Sequence, residues 1–338
     1  MNLLHRFNGR LSLPLVAAPM FTVSSRDLVV AACRAGVIGA FPTANCRTVA
    51  ELDSWLGYFS ETLGPQDAPF CANLIIKRSD LRDHLAVLCQ HRVELVITSV
   101  GSPEHVIEPL HQAGSLVFAD VATLEHAKKA IACGADGLVL LSAGAGGQTG
   151  SLNGFAFTRA VRDFFHGPVI LAGGICDGAS LWAALALGCD LGYMGTRFIA
   201  THESAASYRY KQMLVDCDLD DILLTSAFTG LPTNMLEPSL RAAGIVLPDV
   251  SPLMTHQSAQ TLFSAGAGEG GPKRWTDLWS AGHSVSGVKR LAAVAELVRE
   301  VEQEFRAAAR AATESPWVCA SGPSGSGRPR ASATEVHT

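Results

Sequence analysis

The sequence predicts an α/β protein folded as a (β/α)8 TIM barrel, with an inserted helical subdomain near its C-terminal end. Eight short apolar runs alternate with amphipathic helical patterns before residue 200. Helical patterns of about 10–15 residues between strands indicate parallel strands joined by right-handed crossovers. The composition, 48% hydrophobic but only 7% aromatic, suits buried parallel strands covered by helices. Eight units favour closure into a barrel, and an open doubly wound sheet is the alternative.

Strands and helices alternate along the chain. The predicted strands, each a short apolar run, are residues 15–18, 37–40, 70–75, 95–98, 116–119, 137–141, 169–171 and 191–194. The predicted helices, each amphipathic, are residues 25–34, 48–63, 81–90, 103–112, 124–133, 158–165 and 178–187. Ser24 or Ser25 is a candidate N-cap for the first helix. Thr48 and Glu51 have the capping-box spacing, and Pro103 suits a first helical turn.

This alternation stops after the eighth strand. Residues from about 201 to 283 contain X-Pro steps such as Leu231-Pro232 and Glu237-Pro238, and a flexible stretch at 264–272. We therefore expect this segment to be a helical insert packed over the barrel mouth.

The barrel domain, including the insert, is predicted to span residues 1–311. Residues 285–311 have the pattern of a long closing helix. Residues 312–338 are rich in Ser, Gly, Pro and Arg and have little to bury, so they are predicted to be a disordered tail.

Charge and cysteine content narrow the functional class. The net charge of −5 and the pI of about 6.1 give no general attraction to nucleic acid or anionic lipid. No apolar stretch approaches the roughly 20 residues that cross a bilayer, and the N-terminus lacks a signal-peptide pattern. The nine cysteines include no CxxC pair, which predicts reduced thiols in a cytoplasmic protein and no metal site. The sequence does not fix the oligomeric state, and a homodimer is one of the states open to it.

Polar and proline-containing motifs follow several predicted strands, where barrels of this kind place their active sites. Ala18-Pro19-Met20 follows the first strand, and its peptide groups could face a planar ring or form a simple turn. Asn73 ends the third strand, so its amide needs partners, either the polar edge of a ligand or an internal hydrogen bond. Asp120 ends the fifth strand and could contact a ligand, act as an acid or base, or cap the next helix through Thr123.

A glycine-rich loop follows the sixth strand. It is Ser142-Ala143-Gly144-Ala145-Gly146-Gly147-Gln148-Thr149-Gly150. The glycines permit close approach of backbone to a cofactor, and a flexible surface loop is the alternative. Ala145, Gly146 and Gly147 are therefore candidate cofactor contacts. Ser142 and Gln148 are the candidate catalytic residues.

A phosphate site is predicted after the last two strands. Gly173 and Gly174 follow the seventh strand, and Gly195 and Thr196 follow the eighth. Barrels often hold a phosphate between these two loops with backbone N–H groups at the start of a short helix. No GxGxxG motif follows the first strand, so a Rossmann dinucleotide site is not expected.

Together these residues resemble the nitronate monooxygenase (2-nitropropane dioxygenase) family, which also includes flavin-dependent enoyl-acyl-carrier-protein reductases. The resemblance covers roughly residues 10–235. It rests on Ala18-Pro19-Met20, Asn73, the loop 144–150, Leu171-Ala172-Gly173-Gly174-Ile175, Met194-Gly195-Thr196-Arg197-Phe198 and Thr225-Ser226-Ala227-Phe228-Thr229-Gly230.

The resemblance implies FMN across the barrel mouth. The phosphate would be held by Gly173, Gly174, Gly195 and Thr196, and the ring would be flanked by the motifs after strands one, three and six. It also implies oxidation of a small alkyl nitronate by O₂ to a carbonyl compound and nitrite, without a nicotinamide cofactor.

Two positions depart from the family pattern. Gln148 stands where the family's loop normally has a His that acts as base or anion contact, and glutamine cannot take a proton near neutral pH. Asp120 stands where some relatives have Lys. An NAD(P)H-dependent reductase of an enoyl thioester or quinone, and a flavin-binding protein that has lost catalysis, are the alternatives.

Overall fold

The computed structural model describes residues 6–7, 9–245 and 277–319. Eight parallel strands form a closed barrel in the order β1-β2-β3-β4-β5-β6-β8-β9, and β9 pairs with β1. They are β1 (Leu15–Ala17), β2 (Ile38–Pro42), β3 (Phe70–Ile75), β4 (Leu95–Ser99), β5 (Leu116–Val121), β6 (Gly137–Leu141), β8 (Val169–Ala172) and β9 (Leu191–Met194). The predicted barrel is confirmed, and pairing of the last strand with the first excludes an open sheet.

Seven helices cover the barrel between successive strands. They are α1 (Arg26–Arg34), α2 (Val49–Thr62), α3 (Leu81–Gln90), α4 (Glu104–Gln112), α5 (Leu124–Ala132), α6 (Gly154–Arg162) and α7 (Gly178–Ala186). Ser25 and Thr48 cap α1 and α2 through their side-chain oxygens, as expected. Helix α6 begins four residues before the predicted start because Asn153 caps it, accepting from the N–H groups of Phe155 and Ala156.

Alternate strand residues fill the barrel interior. Ile97, Phe118, Val139 and Ile170 belong to this inner cluster, and the intervening residues pack against the helices. A side chain at Gly137 would overlap the Phe118 ring, with its Cβ 2.5 Å from the nearest ring carbon. The interior is therefore a packed core, and the barrel offers space for a ligand only at its mouth.

The insert contains helices, as predicted, and also an antiparallel hairpin. After the short helix α8 (Thr196–Ile199), the insert has helix α9 (Tyr208–Asp216), strands β10 (Ile222–Thr225) and β11 (Thr233–Leu236), and helix α10 (Glu237–Ala242). Strand β11 also pairs with β7 (Gly147–Gln148) of the glycine-rich loop. Residues 246–276, including the predicted flexible stretch 264–272 and the step Leu247-Pro248, lie outside the described residues.

The closing helix differs from its predicted bounds. Helix α11 is Val294–Glu314, and residues 283–287 form a 3-10 turn. Ala292 forms an isolated parallel bridge with Thr201, and the Glu203 carboxylate accepts from the N–H of Val294. These contacts with the insert hold residues 288–293 away from helical geometry.

The predicted disordered tail, 312–338, is helical in its described part. Residues 312–314 belong to α11, and α12 (Pro316–Cys319) adds one further turn. Residues 320–338 lie outside the described residues. Within the described ranges, no helix is both long and apolar enough to cross a bilayer, and no cluster of three or more His, Cys, Asp or Glu could hold a metal.

Candidate active site

A cavity of about 450 Å³ lies at the C-terminal ends of the barrel strands. Every predicted site residue except Ser142 lines it. They are Ala18, Pro19, Met20, Asn73, Asp120, Ala145, Gly146, Gly147, Gln148, Gly173, Gly174, Gly195 and Thr196. Residues 278–281 and Ser284 also line it. We refer to residues 278–284 as the strap.

One end of the cavity is walled by bare backbone. Gly173 and Gly174 follow β8 with φ of +111° and +77°, a region that side chains disfavour. A Cβ at Gly173 would lie 2.5 Å from Ser142 Oγ, whereas a Cβ at Gly174 would meet nothing within 4 Å. Gly195 is the N-cap of α8 on the neighbouring strand end. Backbone at this end can therefore approach a ligand without side chains intervening.

Thr196 joins this end of the cavity to the strap. Its side chain is 4% exposed, and its Oγ1 accepts from the N–H of Gly282 at 3.0 Å. Because that bond uses the hydroxyl as acceptor, its hydrogen is left to donate to a ligand. The strap is also held by the N–H of His283, which donates to the Gly144 carbonyl at 2.9 Å.

The glycine-rich loop is fixed by the insert. Gln148 pairs with Thr233 through β7 and β11, and the N–H of Thr149 donates to the Pro232 carbonyl at 3.0 Å. Asn234 Nδ2 donates to the Ala145 carbonyl at 2.7 Å. These bonds make the loop an ordered wall of the cavity, in contrast to the flexible loop that was the alternative.

The two candidate catalytic residues occupy different positions. Gln148 is exposed and faces the cavity. Ser142 is 1% exposed, and its Oγ donates to the Ala172 carbonyl at 2.6 Å, behind Gly173. The structure therefore does not bring Ser142 into the cavity, and its contacts position the loop after β8.

Asn73 has the internal bonds that the sequence left as one alternative. Its Nδ2 donates to the Ile97 carbonyl, and its Oδ1 accepts from Ser99 Oγ, both at 3.3 Å. It also lines the cavity. One amide hydrogen remains for a ligand, so the two alternatives are compatible.

Asp120 lies at the floor of the cavity, and no residue that the structure describes donates a hydrogen bond to its buried Oδ1. Burial raises the pKa of this carboxyl to about 7. Thr123 caps α5 itself by accepting from the N–H of His126, so Asp120 is not needed as a helix cap.

Sequence reasoning assigned no role to Tyr193, which also lies at the floor. Its hydroxyl is buried and has no hydrogen-bond partner among the described residues. Burial, and then the nearby Asp120 charge, raise the pKa of this phenol well above its usual value. Side chains alternate in direction along a strand, and Leu191 of β9 points into the barrel. The same alternation places Tyr193, two residues later, on the inner side and could have identified it.

Tyr210 and Trp279 were also missed, and they form an aromatic wall. Their rings stack with centroids 4.9 Å apart, and the Tyr210 hydroxyl donates to the Ser280 carbonyl. Tyr210 is in α9 and Trp279 in the strap, so the contact joins distant parts of the chain. No local pattern in the sequence carries that pairing.

The described lining has little charge. Asp120 is its one carboxylate, and these lining residues include no Lys, Arg, His or Glu. Any anion bound against them must be held by N–H groups, hydroxyls and amides, which contribute partial charges only.

The model of the nitronate monooxygenase family matches residues 76–304, more than half of the chain. The chain belongs to the nitronate monooxygenase family. It is therefore an enzyme of the flavin oxidoreductase type.

The chain is similar to proteins named for the oxidation of nitro compounds. The nitronate monooxygenase of Paraburkholderia phytofirmans is 28% identical, over 87% of this chain and 92% of its own. The nitroalkane oxidase of Streptomyces ansochromogenes superposes with a TM-score of 0.76 and 27% identity, covering 92% of this chain and 100% of that one.

The chain is also similar to the (3aS,4S,5R,7aS)-5-hydroxy-7a-methyl-1-oxo-octahydro-1H-indene-4-carboxyl-CoA dehydrogenase of Mycobacterium tuberculosis. It is 29% identical over 67% of this chain. The chain spans only 64% of the length of that relative.

The cavity suits the flavin that nitronate monooxygenase family enzymes use. Gly174 leaves an open recess, which a side chain would fill, at the end walled by bare backbone. Asp120 and Tyr193 present unpartnered polar atoms at the floor, in reach of a polar ligand that fills the barrel mouth.

Proposed function

We propose that this enzyme uses FMN to oxidise a small alkyl nitronate with O₂, giving a carbonyl compound and nitrite. One observation carries the proposal: a single cavity combines a recess walled by bare backbone with Gln148 and lacks a histidine in its described lining. A nitronate is already deprotonated, so its oxidation needs no base. A site that offers hydrogen-bond donors in place of a base suits it.

FMN is the flavin that this recess favours, because FMN ends in a phosphate. The N–H groups after β8 and β9 and the Thr196 hydroxyl would hold the phosphate. Gly173 and Gly174 would let the backbone come close to it. The motif Ala18-Pro19-Met20, Asn73 and the glycine-rich loop would flank the ring.

When bound, FMN would supply the redox chemistry that couples oxidation of the nitronate to O₂. Gln148 would donate a hydrogen bond to a nitronate oxygen and orient it, without exchanging a proton. Phe21, Ile75 and Leu278 line the cavity and would exclude water from the reacting atoms. Ser142 would keep the Gly173 backbone in place through its bond to Ala172.

The test combines cofactor identity with the choice of electron donor. We expect the purified protein to be yellow and to release FMN, identified by mass. Under anaerobic conditions propyl-2-nitronate should bleach the flavin rapidly and NADH should not. In air, the nitronate should yield nitrite and consume O₂. Colourless protein without affinity for added FMN contradicts the proposal, as does fast bleaching by NADH alone.

Oxidation or reduction of an acyl thioester is the second candidate. The similarity to a dehydrogenase of a CoA thioester favours it. So does a described lining without cationic side chains, which suits a neutral acyl group. If NADH reduces the flavin and an enoyl thioester reoxidises it faster than O₂ does, this candidate replaces nitronate oxidation.

A further inference from the structure

Two polar atoms in the barrel mouth have no partner within the described part of the protein. They are Asp120 Oδ1 on β5 and Tyr193 Oη on β9, and both are buried. A buried polar atom without a hydrogen bond destabilises the folded state, and a charged one does so more strongly. Such atoms in a native protein call for an explanation in a bound ligand or water.

The packing beneath the pair is apolar. Phe118, Val139, Ile170 and Leu191 fill the barrel on this side, and none of them offers a hydrogen-bonding side chain. Both residues line the cavity above. A molecule bound in the cavity can therefore supply the missing hydrogen bonds to Asp120 and Tyr193.

Few ionisable groups act on Asp120. Within the described ranges, Tyr193 and Cys71 are the titratable groups that interact with it electrostatically. Burial raises the pKa of both, so both are neutral near pH 7. The neighbouring strands β4 and β6 bring Ser99 and Leu141 to the cavity, and neither ionises there. Tyr210, the remaining titratable residue of the described lining, donates to a carbonyl.

We propose that Asp120 is the proton-accepting partner of the flavin in this cavity: its carboxylate takes up a proton when the flavin is reduced, and the neutral carboxyl then donates to the polar edge of the ring beside Tyr193. The inference rests on the proposed binding of FMN. It assigns to Asp120 a role in setting the flavin's reduction potential, separate from any contact with the nitronate.

The charge balance gives the reason. Reduction delivers two electrons and one proton to the ring and leaves one negative charge on it. A second negative charge on Asp120, with no cation in the described lining, would repel it in a medium of low dielectric. Uptake of one further proton from water by the Oδ atoms of Asp120 removes that repulsion and supplies a donor.

The pH range follows from the raised pKa of Asp120, about 7. Above this pH the oxidised enzyme holds Asp120 as a carboxylate, so reduction requires the extra proton and becomes harder as pH rises. Below it the carboxyl is already protonated and nothing further is taken up. The flavin potential should therefore fall more steeply with pH on the alkaline side than it does without this carboxyl.

The experiment measures protons taken up per electron pair when FMN-loaded enzyme is reduced by a mediated electrode in weak buffer. At about pH 8.5, Asp120→Asn should take up about one proton fewer than the unaltered enzyme, and at about pH 5.5 the two should agree. Asp163→Asn, which removes an exposed carboxylate outside the cavity, should match the unaltered enzyme at both values. Equal uptake by Asp120→Asn and the unaltered enzyme at the higher pH overturns the inference.

A second measurement does not depend on the variant folding. Reduced-minus-oxidised infrared spectra of the unaltered enzyme, with and without ¹³C-labelled aspartate, should show a labelled protonated-carboxyl band that grows on reduction at the higher pH. Its absence overturns the inference while leaving FMN binding intact. A protein that binds no FMN overturns both the inference and the proposed function.

Discussion

Gln148 gives the cavity a hydrogen-bond donor and acceptor that does not change its charge between pH 5 and 8. It is exposed at the cavity, and the described lining around it has no histidine or lysine. Asp120, the one carboxylate of the described lining, lies at the floor with Tyr193. Position 148 therefore offers no base for removing a proton from a neutral nitroalkane, because glutamine cannot take up a proton near neutral pH.

Replacing Gln148 with His should add that base. We expect turnover of neutral nitroalkanes to increase at least tenfold, and to rise with pH through about 6.5 as the imidazole loses its proton. Nitronate turnover should change much less. Steady-state nitrite formation from nitroethane and ethyl nitronate between about pH 5.5 and 8.5 measures both. Gln90→His, exposed on α3 and outside the cavity, is the control. An unchanged nitroalkane rate would contradict this account of position 148.

Gly174 tests the recess walled by bare backbone. Alanine there must adopt φ of +77°, and its methyl group would enter open space at the cavity. Gly114→Ala imposes a similar backbone cost at φ of +90°, also in open space, on the loop before β5. Both variants should lose about 1 kcal/mol of unfolding free energy. Only Gly174→Ala should weaken FMN binding, by tenfold or more in fluorescence titration. If Gly174→Ala and Gly114→Ala bind FMN equally well, the phosphate does not bind at this end of the cavity.

At the scale of elements, the strap and the glycine-rich loop pack backbone against backbone. A Cβ on Gly146 would lie 2.8 Å from the nitrogen of Gly282, and a Cβ on Gly144 would lie 2.7 Å from the His283 ring. The strap in turn donates to Thr196 through Gly282. Three segments that are distant in sequence thus hold one another at the recess.

Gly146→Ala should separate the strap from the loop. Because the obstacle is backbone, the strap must shift, at a cost of about 1–3 kcal/mol in unfolding free energy. The Thr196–Gly282 bond should weaken, so the dissociation rate of FMN should increase. Gly57→Ala, in open space on α2, should instead stabilise the protein by about 0.5–1 kcal/mol without altering FMN dissociation. Stopped-flow release of FMN and urea unfolding distinguish these outcomes.

The sequence predicts best those elements whose causes are local. All eight barrel strands were expected because each is a short apolar run in a regular alternation with helical patterns, and the motifs that follow the strands lie at the barrel mouth. The hairpin β10–β11 was not expected, because its pairing with Gly147–Gln148 depends on a distant segment. The start of α11 is set by Glu203 and Thr201 in the same way. Tyr210 and Trp279 meet only through tertiary packing.

At the scale of the whole molecule, burial of Asp120 at the floor of the cavity lowers the free energy of unfolding. The barrel closes around a packed interior, and Asp120 at its mouth has no partner for Oδ1 in the part of the chain that the structure describes. Its pKa is raised to about 7 in the folded chain, from about 3.9 in an unfolded one. Between these two pKa values Asp120 is ionised in the unfolded chain but still protonated in the folded one. The free energy of unfolding therefore falls as pH rises from about 4 to 7.

Asp120→Asn should therefore stabilise the flavin-free protein at high pH. The difference in unfolding free energy should approach as much as about 4 kcal/mol above pH 7 and shrink steadily toward pH 4. Urea unfolding at several pH values measures it. Asp163→Asn, exposed at the end of α6, should show no such trend. A difference that is independent of pH would mean that Asp120 is not the titrating group.

The sheet shared by β7 and the hairpin also limits how such enzymes can be recombined. Strand pairing with Thr233 fixes the position of Gln148. A chimera that exchanges the insert but keeps the parental glycine-rich loop would therefore pair β7 of one parent with β11 of the other. Recombination between homologous genes should keep Gln148 in position only when the glycine-rich loop and the hairpin come from the same parent. Directed evolution of substrate range would therefore do better to randomise the two segments together than either one alone.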